Sequence, residues 1–318
     1  MIWKTVKRSL GAALVATLGL GTAAFADYPE KPITLVIPFG AGGSHDLNAR
    51  VITSTIPQYL GQAMIVRLSP GASGQKGTQE VANSTPDGYT LIFSHNYVDM
   101  LQQHVENLPY DPSEFIPIAR VNFAPIAVVV PADSPYQTFE ELIAAAKADP
   151  GSISMAHSGN WGALFVPAAQ IMKETEAFFN MVPFQGGGPA MQALLAGDAD
   201  VTMGFPSALG GLLEAGRIRI LASAGPERIY DDVPTFAEAG MEGDIGFMHR
   251  VVLAPKGTPD DVIAKLEEAF TALKEDRSYG RLMGRLGENT DLLLGDDYQK
   301  LRDEQDVAYK ALVESITQ

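Results

Sequence analysis

The chain has 318 residues, 46% of them hydrophobic and 19% charged, which supplies a core for one large or two smaller units and excludes a disordered or low-complexity polymer. Acidic residues outnumber basic ones 38 to 23, giving a formal net charge of −15, a balance that argues against nucleic acid and anionic membrane as partners. There is no cysteine, so disulfides, thiol nucleophiles and thiolate metal sites are excluded.

The N-terminus reads as an export signal. Lys4, Lys7 and Arg8 are followed by an apolar run from Leu10 to about Leu20, and Ala24-Phe25-Ala26 forms an A-x-A cleavage pattern before Asp27. The run is shorter than the roughly 20 residues of a membrane span. Cleavage after Ala26 is expected to leave 292 of the 318 residues in a periplasm, and the loss of three positive charges takes the net charge from −15 to −18.

Short β-rich runs then alternate with helical patterns. Ile33–Ile37 reads as a strand closed by Pro38, and the stretch from Asp46 carries Leu47, Val51, Ile52 and Ile56 at helical spacing. Strands are predicted at Ala63–Leu68 and Tyr89–Ser94, with a helix around Gly77–Ser84 between them that stops at the turn Pro86-Asp87-Gly88. Pro125–Val130, Ser152–Ala156, Val201–Phe205, Ile218–Ala222 and Val251–Ala254 are further strands, and Thr138–Lys147 is a helix. Two helices close the chain, one with Val262, Ile263, Leu266, Phe270 and Leu273 on a single face, the other over Asp297–Glu314. Apolar strands separated by helices predict mainly parallel sheets covered on both faces. Two α/β domains joined by chain crossings fit best: residues 27–127, residues 128–248, and a return over 249–318, with crossings near Pro125–Val130 and His249–Leu253.

Four turns at strand ends offer ligand-binding chemistry. The first is Phe39-Gly40-Ala41-Gly42-Gly43-Ser44-His45 before Asp46, where glycines let backbone approach a ligand and a helix N-terminus presents free N–H groups. Its third glycine position is His45, so the dinucleotide fingerprint is incomplete, and the phosphate-loop pattern G-x-x-x-x-G-K-[ST] is absent. The others are Ser94-His95-Asn96, His157-Ser158-Gly159-Asn160-Trp161-Gly162 and Gln185-Gly186-Gly187-Gly188-Pro189. Ligands of open α/β sheets bind at the carboxyl ends of strands, where such turns converge.

Ordered motifs carry a resemblance to the tripartite tricarboxylate transporter substrate-binding proteins, the Bug family. Tyr28-Pro29 with Lys31-Pro32-Ile33 and the run PFGAGGSHDLNAR are similar to the family's start. They are followed by Pro70-Gly71-Ala72-Ser73-Gly74, Thr85-Pro86-Asp87-Gly88-Tyr89 and Val182-Pro183-Phe184-Gln185-Gly186-Gly187-Gly188-Pro189. Asp232-Val233-Pro234-Thr235-Phe236 and Ala254-Pro255-Lys256-Gly257-Thr258-Pro259 complete the set, which spans nearly the whole mature chain. The resemblance implies a periplasmic binding protein-like fold whose two domains close on a small organic carboxylate and hand it to membrane permease subunits. It also implies that amides of Phe39–His45 and His157–Trp161 hold the carboxylate, with Gly186 and Gly187 lining the cleft. Three places depart from the family: His45 replaces a small hydroxyl residue, HSGNWG replaces G-x-G-S, and His249-Arg250 stands where a Trp is common.

Arg250 is the one charged ligand partner expected, with Asn96, Asn160, and Phe205 and Ser207 of the Phe205-Pro206-Ser207 turn as further contacts. Two other readings stand beside this one. His45, His95, His157 and His249 all fall in or beside the proposed cleft, which would suit a zinc-binding receptor, although none shows H-x-H or i, i+4 spacing. A hydrolase would need a serine triad, but there is no G-x-S-x-G elbow and no H-E-x-x-H. The expectation is a monomeric, non-catalytic carboxylate binder with no cofactor and no resident metal.

Overall fold

The structure is a computed structural model and describes residues 28–241 and 246–317. The expected export signal and its cleavage site lie outside the described residues. The chain opens with β1 (Ile33–Ile37), α1 (Ser44–Thr55), α2 (Pro57–Leu60), β2 (Met64–Leu68), α3 (Gln75–Ala82), β3 (Thr90–His95) and β4 (Phe115–Pro125). It continues with β5 (Ala127–Pro131), α4 (Phe139–Ala148), β6 (Ser154–His157), α5 (Phe165–Thr175), β7 (Asn180–Pro183), α6 (Gly187–Ala196), β8 (Val201–Gly204), α7 (Pro206–Glu214) and β9 (Ile218–Ser223). Last come β10 (Phe247–Pro255), α8 (Asp260–Lys274), α9 (Arg277–Arg285), β11 (Leu293–Leu294) and α10 (Gly295–Thr317).

These elements form two α/β units. One holds a six-stranded sheet in the order β11-β4-β10-β3-β1-β2, the other a five-stranded sheet in the order β7-β6-β8-β5-β9. Every residue of β1 except Thr34 is fully buried, as a strand covered on both faces requires, and Ile33, Leu35 and Ile37 share a core with Ile52 of α1, with Ile56 just beyond it, and with Leu266, Phe270 and Leu273 of α8. The second core gathers Val128 and Val130 of β5, Leu142 of α4, Met155 of β6 and Ile171 of α5.

Both sheets are mixed, where the sequence pattern predicts mainly parallel ones. β1 pairs parallel with β2 and β3, but β10 runs antiparallel to β3 and β4. In the second sheet β6 is parallel to β7 and β8, while β5 is antiparallel to β8 and β9. The chain path supplies the reason: it leaves the first sheet along β4 and re-enters along β10, and two strands that lead out of and back into one sheet side by side must oppose each other.

The crossing itself is narrow. Ile126, fully buried between β4 and β5, accepts a hydrogen bond from Ala224 N–H at 2.7 Å and donates its own N–H to the Gly246 carbonyl at 2.8 Å. A Cβ on Gly246 would lie 2.2 Å from Ile126 Cγ2, so glycine is what allows the two crossing segments to touch. Strand β10 begins at Phe247, and His249–Leu253 are interior residues of it. Helix α10 spans the two units as well: its Tyr298 joins the core around Val36 and Val251, its Val313 joins the second core, and Lys173 Nζ of α5 donates to the Ser315 carbonyl. No helix among the described residues is long and apolar enough to cross a membrane.

Candidate functional site

The carboxyl ends of the strands in both units face one cleft. It is lined from the first unit by Phe39, Gly40, Gly43, Ser44, His45 and His95, and from the second by Ser158, Leu164, Gly187, Met191, Met203 and Phe205. The cleft contains about 480 Å³ of non-atom space, but only about 30 Å³ of it admits the centre of a water-sized sphere. By the smaller measure it has room for about two waters, so its walls are nearly in contact.

Glycine makes that approach possible. Gly40 N–H donates to the Gln185 carbonyl across the cleft at 2.7 Å. A Cβ on Gly188 would stand 2.1 Å from the Ala41 carbonyl oxygen and 2.6 Å from Gly43 N, and one on Gly159 would stand 2.7 Å from Ser73 Oγ. The Gly186-Gly187-Gly188 turn and the His157–Gly162 turn are thus docking faces between the units, and each contributes a residue, Gly187 and Ser158, to the cleft lining. Ala41 and Gly42 lie exposed at the rim. Helix α1 starts after Gly43, and Asp46 reaches back to accept the Gly42 N–H at 2.9 Å while pairing with Arg50. Its first turn, with Ser44 and His45, and the first residue of α6, Gly187, border the cleft, where helix ends favour negative charge.

Two imidazoles form the floor. His45 and His95 have ring centroids 5.2 Å apart, and Phe39 stacks on His95 at 5.0 Å. Burial, with a smaller push from Arg250, drives the His95 pKa down to about 3. His45 is held well below its ordinary value by burial first, then by His95 and Arg250. Both rings are neutral at neutral pH.

Several residues expected in the site stand elsewhere. Arg250 is fully buried but directs its guanidinium at Glu288, with bonds of 2.8 and 2.9 Å, and at Asn122 Oδ1, 3.0 Å away. It sits behind the cleft wall, 5.6 Å from the Phe205 ring centroid, so it is a structural cation and not a free carboxylate partner. Ser207 is also engaged by Glu288, which accepts its Oγ–H at 2.5 Å and its N–H at 3.2 Å. His249 lies in a separate crevice beside Tyr97, Gln305 and Tyr309, where Arg120 donates to its Nδ1 at 3.2 Å, and burial pushes its pKa down to about 4. Asn96 bonds Phe247 O and Tyr309 of that crevice, Asn160 is exposed, and Trp161 packs on Phe165. His157 packs on the same Phe165, and Ser94 contributes its carbonyl, which holds His45 Nε2 at 3.2 Å.

The histidines expected for a zinc site are therefore split between places, and no group of three His, Asp or Glu among the described residues is arranged to hold a metal. Sequence reasoning missed the apolar half of the cleft, made by Ala163, Leu164, Met191, Met203, Ala208 and Met248. It also missed Glu288, which joins Arg250 and Asn122 of the first unit to Ser207 of the second. Neither has a local motif that could have announced it.

Two α/β units meeting over one cleft, with crossing strands side by side at the back, define a two-domain solute-binding protein. The comparisons give the family. A family model described as "Tripartite tricarboxylate transporter family receptor" matches residues 48–317, and the chain belongs to that family. Protein BugT of Bordetella pertussis is 32% identical over 258 residues, covering 79% of this chain and 79% of its own length. The Rhodopseudomonas palustris protein MatC with bound malate superposes with a TM-score of 0.85 at 26% identity, covering 90% of this chain and 100% of the other. Rpa4515 of R. palustris with adipate gives a TM-score of 0.86 at 26% identity, with 92% and 99% covered. The family is thus one of solute receptors, and BugT is among the relatives.

Proposed function

We propose that this chain is exported through its N-terminal signal to the periplasm, captures a small organic carboxylate between its two units, and delivers it to the permease of a tripartite tricarboxylate transporter. The observation that carries this reading is the cleft's donor set. Backbone amides at helix N-termini face it from both units, while no lysine or arginine side chain lines it. Such amides bind an anion without the cost of burying an unpaired cation. A strongly acidic surface repels a free anion at long range, so capture depends on these short-range donors in a nearly dry cleft. The malate and adipate held by two structural relatives support the same chemistry.

Closure is the second part of the proposal. The units are joined by adjacent segments at Ile126 and Gly246, a narrow connection about which they rotate, and the interlocking glycine turns form the closed contact. Removal of the signal takes Trp3 with it and leaves Trp161, in the turn between the cleft-lining Ser158 and Ala163, as the mature chain's only tryptophan. Titration of Trp161 fluorescence with malate, adipate and related acids tests the reading directly. A saturable change with at least one acid supports it, and an unchanged spectrum together with no heat of binding rejects it.

A further inference from the structure

The two imidazoles of the cleft floor have defined proton positions. The Ser94 carbonyl only accepts, so His45 Nε2, 3.2 Å from it, carries the proton, and Nδ1 keeps a bare lone pair. The backbone N–H of Val98 donates to His95 Nδ1 at 3.4 Å, so the His95 proton is on Nε2. Among the described residues neither remaining nitrogen has a hydrogen-bond partner, and both rings line the cleft. The floor therefore presents one N–H donor and one lone-pair acceptor side by side. The nearest cation, Arg250, is already paired with Glu288.

A carboxylate meets such a pair poorly, because it has no proton to give to His45. A hydroxyl or a carboxamide satisfies both nitrogens at once, accepting from His95 and donating to His45. We propose that His45 and His95 determine specificity by reading a neutral hydroxyl or carboxamide group that the ligand carries in addition to the carboxylate held by the backbone amides. This rests on the carboxylate reading above. Buried groups left without a partner penalise an analogue that lacks the matching atoms, which is how a hydrogen-bonding pocket discriminates.

The test is calorimetric titration of the mature protein with matched acids: butyrate and 3-hydroxybutyrate, succinate and succinamate, benzoate and 4-hydroxybenzoate, terephthalate and 4-carbamoylbenzoate. The hydroxyl or amide member of at least one pair should bind about ten-fold or more tightly. That preference should vanish in His45→Leu, and His95→Gln, which retains an N–H donor, should keep most of it. Equal binding within every pair, or a preference for the plain acid or diacid, overturns the assignment to the histidines and leaves the carboxylate reading intact. Binding of none of the eight overturns this inference, and if malate and adipate also fail to bind it overturns the carboxylate reading with it. The wild-type comparison alone decides the matter should either variant fail to fold.

Discussion

Replacing Gly188 by alanine isolates domain closure from ligand chemistry. Gly188 has no left-handed backbone, so alanine brings no local strain there, and the three atoms nearest the added methyl all belong to the opposite unit, Ala41 O at 2.1 Å and Gly43 N at 2.6 Å foremost. Relieving the first contact to about 3.0 Å requires the turns to separate by about 0.9 Å. A rigid separation of that size carries the 2.7 Å bond from Gly40 N–H to the Gln185 carbonyl beyond hydrogen-bond range. Losing one bond in a closed cleft costs about 1–3 kcal/mol when its partners stay dry, which weakens affinity by roughly 5- to 150-fold. The fold itself should keep its melting temperature. Gly210→Ala is the control, since a methyl there meets nothing within 4 Å and should leave binding unchanged. Titration calorimetry for affinity and small-angle scattering for compactness provide the assay, with Gly188→Ala expected to be weaker and more open. Wild-type affinity in Gly188→Ala would refute the claim that these glycines form the closed contact.

Acid should destabilise the chain through its buried histidines. The unfolded His95 takes up a proton below about pH 6.5, whereas the folded ring, held down to about 3, refuses it, so stability falls as pH falls through that window. The slope is about 1.4 kcal/mol per pH unit, or roughly 2 kcal/mol between pH 6.5 and 5, and urea unfolding of His95→Gln should show that share removed. An unaltered slope in His95→Gln would mean that the ring is not kept neutral. His249, at about 4, and His45 act in the same direction. Glu288→Ala strands the fully buried Arg250 without its counter-charge and should cost about 3–5 kcal/mol in urea unfolding; a loss under about 1 kcal/mol would contradict the buried pair.

Local sequence patterns revealed the elements whose signal is local. Ile33–Ile37 was legible as a strand because β-branched and aliphatic residues run unbroken to Pro38, and β1 has those bounds. Strand β4 was not legible: Pro117, Arg120 and Asn122 interrupt its apolar pattern, and tertiary partners, among them Asp291 and His249 for Arg120 and Glu288, Asn48 and Arg250 for Asn122, make these buried polar residues tolerable there. Of the site, the first glycine turn was readable because backbone needs announce themselves as glycine. The role of Arg250 was not, since a sequence shows a charge near a cleft and not the carboxylate 38 positions later that neutralises it. The methionines at 191, 203 and 248 come from separate elements and converge only when the two units face each other.

The most direct test of the central claim is a thermal-shift screen of the mature protein against mono-, di- and tricarboxylates, with and without EDTA. A ligand present at about 100 times its dissociation constant stabilises the folded state by roughly 2.7 kcal/mol, a rise of a few degrees for a chain of this size. If the central claim holds, at least one small carboxylate produces such a rise, unaffected by EDTA. A chain that no carboxylate stabilises, or one stabilised by zinc and weakened by EDTA, would contradict it.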